Sequence, residues 1–319
     1  MRFDIVAMGE LLVDFTEAGV SSAKQRLFEQ NPGGAVANVA CGAARLGLHT
    51  AFIGKVGDDM HGRFLQDVLR QSGVNTDGLL LSDDVFTTLA FVSLSQAGER
   101  EFSFARKPGA DTCLRAEEVS DALLNNCAIF HIGSLSMTDE PMRGATLYAV
   151  QRAKKAGAVI SYDPNYRAPL WKSVAEAKAQ MRALLPYADL VKLSDEETEL
   201  LTDEARPEAA LDRLLDAGVK CAVVTLGKHG ALLGFADART RYPIMPGLTV
   251  TDTTGAGDAF WSAFLSRVVK GGLLDGLNAH SAGRYVRFAN AAAGYCVGRR
   301  GAIPAMPTEE QVQSLLCDR

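Results

Sequence analysis

Short apolar segments of the kind that form buried strands alternate along most of the chain with longer segments of helical periodicity. The strand candidates are residues 3–8, 50–56, 128–132, 159–162, 190–193 and 221–225. The helix candidates are residues 35–46, 62–71, 142–156, 174–185, 196–201, 207–217 and 308–316. This alternation predicts an α/β fold with a doubly wound, mostly parallel sheet covered by helices. Ligands of such folds bind beyond the carboxyl ends of the strands.

Two segments depart from this alternation. Residues 88–104 alternate polar and apolar side chains in two arms around a turn at 96–99, which predicts an antiparallel hairpin. Residues 13–28 fit no helix cleanly. We interpret both segments as a small β-layer, formed by about 12–30 and 86–112 and inserted in a single domain of residues 1–319. The layer is a lid or a dimer surface, or else a plain edge hairpin without a function.

The composition narrows the classes of partner. The chain has 319 residues and a net charge of −5, so it lacks the basic surface that nucleic acid or anionic lipid requires. Its six cysteines form no Cys-x-x-Cys pair, which indicates buried thiols in a reducing cytoplasm. No apolar run approaches membrane-spanning length. We therefore expect a cytoplasmic protein with no nucleic-acid or membrane partner.

The most informative stretch is 252–260, in which Gly255, Ala256 and Gly257 lead directly into an apolar helix pattern. Amide groups exposed by such a turn at a helix N-terminus favour an anion. Asp258 would repel a phosphate, and its presence makes sense if it also accepts a proton from an attacking hydroxyl. The alternative is an ordinary helix start capped by Thr254 or Asp258. Neither a dinucleotide-binding fingerprint nor a Walker A loop occurs in the sequence.

Three motifs, in this order and separation, resemble those of the ribokinase-like, or PfkB-type, carbohydrate kinases. They are 31–40 (Asn-Pro-Gly-Gly-Ala-Val-Ala-Asn-Val-Ala), 225–230 (Thr-Leu-Gly-Lys-His-Gly) and 252–258. The resemblance covers essentially the whole chain. It implies a three-layer α/β/α core with a small β-sheet lid, and transfer of the γ-phosphoryl group of ATP to a sugar hydroxyl.

The resemblance also implies roles for individual residues. Asp258 matches the catalytic base, and the amides of Gly255, Ala256 and Gly257 would stabilise charge on the transferred group. The positions that match the sugar site are Asp14, Gly33, Gly34 and Asn38. The positions that match the nucleotide site are Thr225, Gly227, Gly230 and, beside the adenine, Asn290. Each position outside 252–258 also has a structural interpretation as a turn, a packed helix residue or a solvated charge.

The segment 192–197 departs from the commoner pattern of the family, which has Asn where Ser194 stands. Glu197 still matches the acid that arranges Mg²⁺ and its waters, so ATP and Mg²⁺ are the cofactors that the resemblance implies. Ser194 and Lys192 are candidate contacts to the ATP phosphates, although Lys192 is equally well a surface lysine at a strand end. Asp252 and Thr254 resemble a monovalent-cation site, which makes K⁺ a further candidate.

The segment 163–167 resembles that of fructokinases, ketodeoxygluconate kinases and aminoimidazole riboside kinases. Arg167 would bind the transferring phosphate or a substrate oxygen, or else pair with Asp163. Phe104 and Arg106 resemble the lid-side wall of fructokinases, where Phe104 would stack on the sugar and Arg106 would touch its hydroxyls. We therefore expect phosphorylation of fructose at a primary hydroxyl, with ketodeoxygluconate or a riboside as alternatives within the family.

Two hypotheses from other functional classes remain open. A sugar-binding regulator without catalysis is disfavoured by the intact Asp258, and a nucleotide-binding redox enzyme is disfavoured by the absent dinucleotide fingerprint. We also expect a homodimer formed through the lid.

Overall fold

The computed structural model describes residues 2–94 and 100–317, and those residues form thirteen strands and ten α-helices. The strands are β1 (Phe3–Met8), β2 (Leu12–Val20), β3 (Arg26–Gly33), β4 (Thr50–Gly57), β5 (Val74–Ser82), β6 (Leu89–Leu94), β7 (Arg100–Ala105), β8 (Cys127–Ile132), β9 (Val159–Tyr162), β10 (Leu190–Ser194), β11 (Cys221–Thr225), β12 (Ala231–Phe235) and β13 (Ala238–Tyr242). The helices are α1 (Ala35–Arg45), α2 (Met60–Gln71), α3 (Asp121–Leu124), α4 (Met142–Lys155), α5 (Val174–Arg182), α6 (Thr198–Thr202), α7 (Pro207–Asp216), α8 (Ala256–Lys270), α9 (Ala279–Val297) and α10 (Glu309–Cys317).

Nine of the described strands form one large sheet in the order β13-β12-β11-β10-β9-β8-β1-β4-β5. The pairs from β11 to β5 are parallel, and the hairpin β12-β13 is added antiparallel at one edge. Parallel strands end at the same edge of a sheet, so the residues that follow β1, β8, β9, β10 and β11 come together there.

Helices cover both faces of the large sheet, which confirms the predicted three-layer α/β/α fold. In β1, Val6 and Met8 join the core formed with α4, α5 and α7, whereas Ile5 joins the core formed with α8 and α9. Strands buried on both faces are apolar at consecutive positions rather than at alternate ones. The sequence therefore shows them as short continuous apolar runs.

The other four strands form a small sheet in the order β3-β2-β6-β7. β2 pairs antiparallel with β3 and parallel with β6, and β6 pairs antiparallel with β7. The small β-layer predicted from 13–28 and 88–104 is thus confirmed. The turn predicted at 96–99 lies outside the described residues.

The predicted elements and the observed ones differ mainly at their ends. The helix predicted over 62–71 begins at Met60, because the Asp59 carboxylate caps it by accepting from the amides of His61 (2.9 Å) and Gly62 (2.8 Å). β5 and the hairpin β12-β13 are not among the strands predicted from the sequence. β13 is an edge strand that carries two arginines, so it lacks the apolar pattern of a buried strand. Among the described residues, no helix combines the length and the hydropathy that crossing a membrane requires.

Candidate active site

A cleft of about 1240 Å³ lies between the small sheet and the carboxyl ends of the parallel strands. The small sheet contributes Asp14 and Asn31, the strand ends contribute Lys192 and Thr225, and the start of α8 contributes Asp258. Most of the residues predicted for sugar, nucleotide and catalysis therefore line one continuous space.

The turn before α8 has the geometry predicted for an anion site. Gly255 has a φ of 74°, in the left-handed region that a residue with a side chain adopts only at a cost. A Cβ atom at this position would lie 2.6 Å from Cβ of Ala302, so the turn also has no room for a side chain. Glycine is required here on both counts.

The first amides of α8 point away from the helix and have no carbonyl within it. Within residues 2–94 and 100–317, no hydrogen-bond acceptor pairs with the amides of Gly255 and Gly257. The amide of Ala256 differs, since it donates to the carbonyl of Thr253 at 3.3 Å. The amides of Gly255 and Gly257 are therefore better placed than that of Ala256 to bind an anion.

Asp258 lies beside these amides and is buried. Its Oδ2 accepts a hydrogen bond from Nδ2 of Asn38 at 2.7 Å, and its Oδ1 accepts one from Nδ2 of Asn165 at 3.4 Å. Burial and the neighbouring charge of Asp163 raise the pKa of Asp258 to about 6, against the opposing effects of Asn38, Lys192 and Arg167. A carboxylate with this pKa is ionised at neutral pH and basic enough to accept a proton from a hydroxyl.

The predicted sugar residues are brought together at one wall of the cleft. Gly34 has a φ of 117°, and a Cβ atom there would lie 2.4 Å from the carbonyl oxygen of Glu10. A Cβ atom on Gly33 would lie 2.3 Å from Oδ2 of Asp14. Burial raises the pKa of Asp14 to about 6, although Arg167 opposes the shift. Asp14, Gly34 and Asn38 line the cleft, and Gly33 leaves room for the carboxylate of Asp14 that a side chain would fill.

Phe104, Arg106 and Arg167 are also predicted to contact the substrate. Of these three residues, Phe104 and Arg167 line the cleft. Arg106 lines a neighbouring pocket of about 650 Å³ instead. Its guanidinium is buried and donates to Asp111 (2.8 Å from Nε), to Oγ1 of Thr138 (3.0 Å) and to the carbonyl of Leu135 (3.1 Å). Arg106 thus holds Leu135, which lines the cleft, and its predicted contact with a sugar stays a prediction.

At the nucleotide side, Lys192 is buried rather than exposed at the strand end. Its Nζ donates to Oδ2 of Asp163 at 2.6 Å. Asp163 therefore pairs with Lys192, whereas the guanidinium of Arg167 donates to the carbonyl of Tyr166 at 3.0 Å.

Glu197 is fixed by two backbone amides. Its Oε1 accepts from the amide of Tyr166 at 2.6 Å, and its Oε2 accepts from the amide of Ser194 at 2.8 Å, in a reciprocal cap of the turn that follows β10. Thr225 lines the same part of the cleft and donates from Oγ1 to the carbonyl of Leu193 at 3.1 Å.

Of the three remaining nucleotide candidates, Gly227 and Gly230 lie in the turn between β11 and β12, and Asn290 lies in α9. Gly227 has a φ of 51°, and a Cβ atom on Gly230 would lie 2.0 Å from the carbonyl oxygen of Tyr242. Nδ2 of Asn290 donates to the carbonyls of Pro243 (2.9 Å) and Tyr242 (3.3 Å). All three residues lie at the junction between β11, β13 and α9. Their contact with a nucleotide stays a prediction.

The family of the chain follows from its similarity to known proteins. The model of the pfkB family carbohydrate kinases matches residues 2–309. The chain belongs to this family.

Similar sequences and structures within the family cover almost the whole carbohydrate kinase chain. It is 43% identical to fructokinase-1 of Zea mays over 320 residues, covering 98% of this chain and 97% of that protein. The structure of a fructokinase from Xylella fastidiosa with bound ATP matches with a TM-score of 0.92 at 35% identity and covers 100% of this chain and 99% of that chain. A fructokinase from Vibrio cholerae O395, solved with fructose, ADP and a calcium ion, matches with a TM-score of 0.89 at 31% identity, covering 98% and 99%.

The oxygen donors of this carbohydrate kinase suit the cations predicted for it. Asp252 Oδ1 accepts from the amide (2.9 Å) and Oγ1 (2.7 Å) of Thr254, and its Oδ2 accepts from the amide of Gly301 at 3.0 Å. The carboxylate oxygens of Asp252, Oγ1 of Thr254 and the carboxylate of Glu197 are oxygen ligands of the kind that hard cations prefer. The part of the chain that the structure describes holds no group of three or more His, Cys, Asp or Glu residues able to bind a metal ion directly. A cation held partly through water fits this donor set.

Glu10 is not among the site residues predicted from the sequence, although it lines the cleft and is buried. Its Oε1 accepts from the amide of Ala35 at 2.7 Å and so caps α1 from outside the helix. Its Oε2 has no hydrogen-bond partner among the described residues. Burial raises the pKa of Glu10 to about 7. The signal that could have found it is its position directly after the apolar strand β1, at the edge where ligands bind.

Proposed function

We propose that this protein is an ATP-dependent fructokinase that transfers the γ-phosphoryl group to a primary hydroxyl of fructose. The observation that carries the proposal is the position of the Asp258 carboxylate beside the open amides of Gly255 and Gly257 in a cleft between two sheets. Such a site can provide a general base and bind an anionic phosphoryl group at the same time. The similarity to fructokinases over nearly the whole chain supports fructose as the sugar.

Asp258 orients the attacking hydroxyl and accepts its proton as the new bond to phosphorus forms. Asn38 holds the carboxylate in place through the bond of 2.7 Å. The amides of Gly255 and Gly257, and to a smaller extent that of Ala256, stabilise the charge on the transferred group. Phosphoryl transfer depends mainly on this kind of positioning and charge stabilisation.

The sugar binds at the wall formed by Asp14, Gly33, Gly34 and Asn38, with Phe104 and Arg167 facing it. Arg106 contributes by holding Asp111 and the carbonyl of Leu135 behind that wall.

The charges of the cleft favour a neutral sugar over an acidic one. Among the described residues, eight acidic and three basic residues line it, which are Glu10, Asp14, Glu17, Glu29, Glu196, Glu197, Asp252, Asp258, Arg167, Lys192 and Arg300. Two of the three cations already face carboxylates, since Lys192 pairs with Asp163 and Arg300 lies 3.2 Å from Glu29. A substrate carboxylate would meet a surplus of negative charge, so ketodeoxygluconate is disfavoured.

The nucleotide binds toward Thr225, Ser194 and Lys192, with the turn at Gly227 and Gly230 beneath its phosphates and Asn290 near the adenine. Glu197 holds the waters of Mg²⁺, and Asp252 with Thr254 holds a monovalent cation such as K⁺. When bound, Mg²⁺ neutralises charge on the phosphates.

The small sheet acts as the lid of a single domain that spans residues 1–319, and two chains associate through it. Its outer residues include large apolar side chains that are partly or mostly exposed, at Val20, Leu27, Phe28 and Phe91. An exposed apolar patch of this kind is typical of an interface. All six cysteines are free, as expected for a protein of the reducing cytoplasm.

A coupled assay of ADP release tests the proposed function. We expect the highest kcat/KM with fructose, lower values with ketodeoxygluconate and aminoimidazole riboside, and a kcat about 10²–10⁴-fold lower with Asp258→Asn. A higher kcat/KM with another sugar would overturn the substrate, and tight binding of fructose without turnover would identify a regulator instead.

A further inference from the structure

Two buried groups near the catalytic base have no assigned role as a pair. Asp163 directly follows β9, and Lys192 lies in β10, the neighbouring parallel strand. The register pairs Ser161 with Leu190 and Tyr162 with Val191, so Asp163 and Lys192 come next and lie side by side at the edge of the cleft. The side chain of Lys192 is 6% exposed and that of Asp163 is 2% exposed.

The ammonium group of Lys192 also lies next to the anion site. A Cβ atom on Gly257 would be only 3.3 Å from Nζ of Lys192 and 3.4 Å from its Cε. An ammonium group has three N–H donors. Within the described parts of the chain, Asp163 is its single hydrogen-bond acceptor, so two N–H groups remain beside the amide of Gly257.

The surrounding charges keep this buried ammonium protonated. Burial lowers the pKa of Lys192, but the attraction of Asp163, Glu197 and Asp258 outweighs burial, and the pKa is raised. The charges of Asp163 and Lys192 have opposite effects on the proposed base, since Asp163 raises the pKa of Asp258 and Lys192 lowers it.

We propose that Asp163 is a positioning residue that holds Lys192 beneath Gly257, where the free N–H groups of Lys192 donate to the phosphoryl group during transfer. This inference rests on the proposed kinase function. In the step, the bond from the γ-phosphorus to the bridging oxygen of ADP breaks as the bond to the sugar oxygen forms. The hydroxyl proton goes to Asp258, ADP leaves with the electron pair of the broken bond, and Lys192 keeps its protons.

A cycle of three variants tests the proposal: Lys192→Met, Asp163→Asn and the double variant. We expect Lys192→Met to lower kcat by about 10²–10³-fold, the usual loss for one donor to the transition state, while the KM for fructose changes little. Asp163→Asn lowers kcat by a smaller factor. The double variant should lose no more activity than Lys192→Met alone, because residues that act as one unit are not additive.

The melting temperatures of the variants distinguish a role of the pair in phosphoryl transfer from a purely structural role. Removing one partner of a buried ion pair destabilises a protein, whereas replacing both by neutral groups is often tolerated. We expect the double variant to recover the melting temperature of the wild type without recovering kcat. A merely structural pair would recover both, and that result would overturn the proposal. The control is Lys55→Met, which removes the Lys55–Glu118 pair (2.6 Å) outside the cleft and should leave kcat unchanged.

The pH profile gives a third readout. The groups that face Asp258 are Asn38 from α1, Asn165 and Arg167 from the loop after β9, Asp163 and Lys192, and Cys296 from α9. The pKa of Cys296 is raised to about 12, so this thiol is neutral throughout the assay. Asp163→Asn removes a negative charge, so the acidic limb of kcat should move to lower pH.

The outcomes distinguish this inference from the proposed function. If the wild-type chain transfers no phosphoryl group to any sugar, both are overturned. If the wild type is active but Lys192→Met keeps kcat within threefold, or the acidic limb of Asp163→Asn does not move, only the role of this pair is overturned.

Discussion

Replacing Gly255 by alanine tests whether the turn before α8 forms the anion site. The backbone of this residue is left-handed, with a φ of 74°, which costs a residue with a side chain about 1–2 kcal/mol. The added Cβ would also lie 2.6 Å from Cβ of Ala302, so the turn must shift, and overpacking of this kind costs about 1–3 kcal/mol. The expected loss in the free energy of unfolding is therefore about 2–5 kcal/mol.

The shift also moves the amide of Gly255 away from the transferred group. Displacing one donor from an anion site typically lowers kcat by about 10²–10³-fold. Gly157→Ala is the matched control, because Gly157 has a φ of 85° but no described atom within 4 Å of the added Cβ. It should lose only about 1–2 kcal/mol and keep its kcat.

Urea unfolding gives the free energies, and coupled ADP release at a temperature where every variant is folded gives kcat. If Gly255→Ala is folded and its kcat lies within threefold of the wild type, the turn does not stabilise the transferred group. If both variants lose activity equally, the loss comes from general destabilisation instead.

The remaining predictions concern the carboxylates and the metal. Asp258→Asn should lower kcat by about 10²–10⁴-fold with an unchanged KM for fructose, and titration calorimetry should still detect sugar binding. The kcat/KM of the wild type should fall below pH about 6, because Asp258, with its pKa of about 6, must be ionised to accept a proton; a flat profile down to pH 4.5 would contradict this role. Glu10→Gln should raise the melting temperature at pH 8 but not at pH 5, since Glu10 has a pKa of about 7 and glutamine carries no charge to bury; calorimetry at both pH values decides. Removal of Mg²⁺ by EDTA should abolish turnover without lowering the melting temperature, and added Mg²⁺ should restore it.

The layers of the fold could be predicted because the pattern of apolar residues in each strand and helix is local and repeats along the chain. Each buried parallel strand is a short apolar run, and each covering helix has an apolar face, so the alternation alone indicates the architecture. β13 escaped detection because it is an edge strand with two arginines, and a strand of this kind does not need an apolar pattern.

Individual motifs of the candidate site could be found in the sequence, but the contacts between residues of different motifs could not. The turn at Gly255 and the proposed base Asp258 lie within one short motif. The bond between Asn38 and Asp258 joins residues 220 positions apart, and the pair of Asp163 and Lys192 depends on the register of two strands. Contacts of this kind follow from topology, which the spacing of residue types does not encode.

Arg106 is a second case in which the sequence motif does not determine the contacts of a side chain. Its motif resembles a substrate wall, but a guanidinium this deeply buried requires partners. Asp111, Thr138 and the carbonyl of Leu135 supply them, and these partners lie up to 32 positions away in the sequence. The motif therefore locates Arg106 near the cleft without revealing which way its donors point.

The catalytic cleft holds its carboxylates at a cost in stability. The pKa values of Glu10, Asp14 and Asp258 are raised to about 7, 6 and 6, each mainly by burial. These three carboxyls bind more protons in the folded chain than in the unfolded chain between pH about 4 and 7, so their contribution to the free energy of unfolding falls as the pH rises through that interval. The same burial makes Asp258 a stronger base than an exposed aspartate. The helices packed on both faces of the large sheet offset this cost. At the edge of that sheet, burial gives Asp258 the basicity that its proposed role as a base requires.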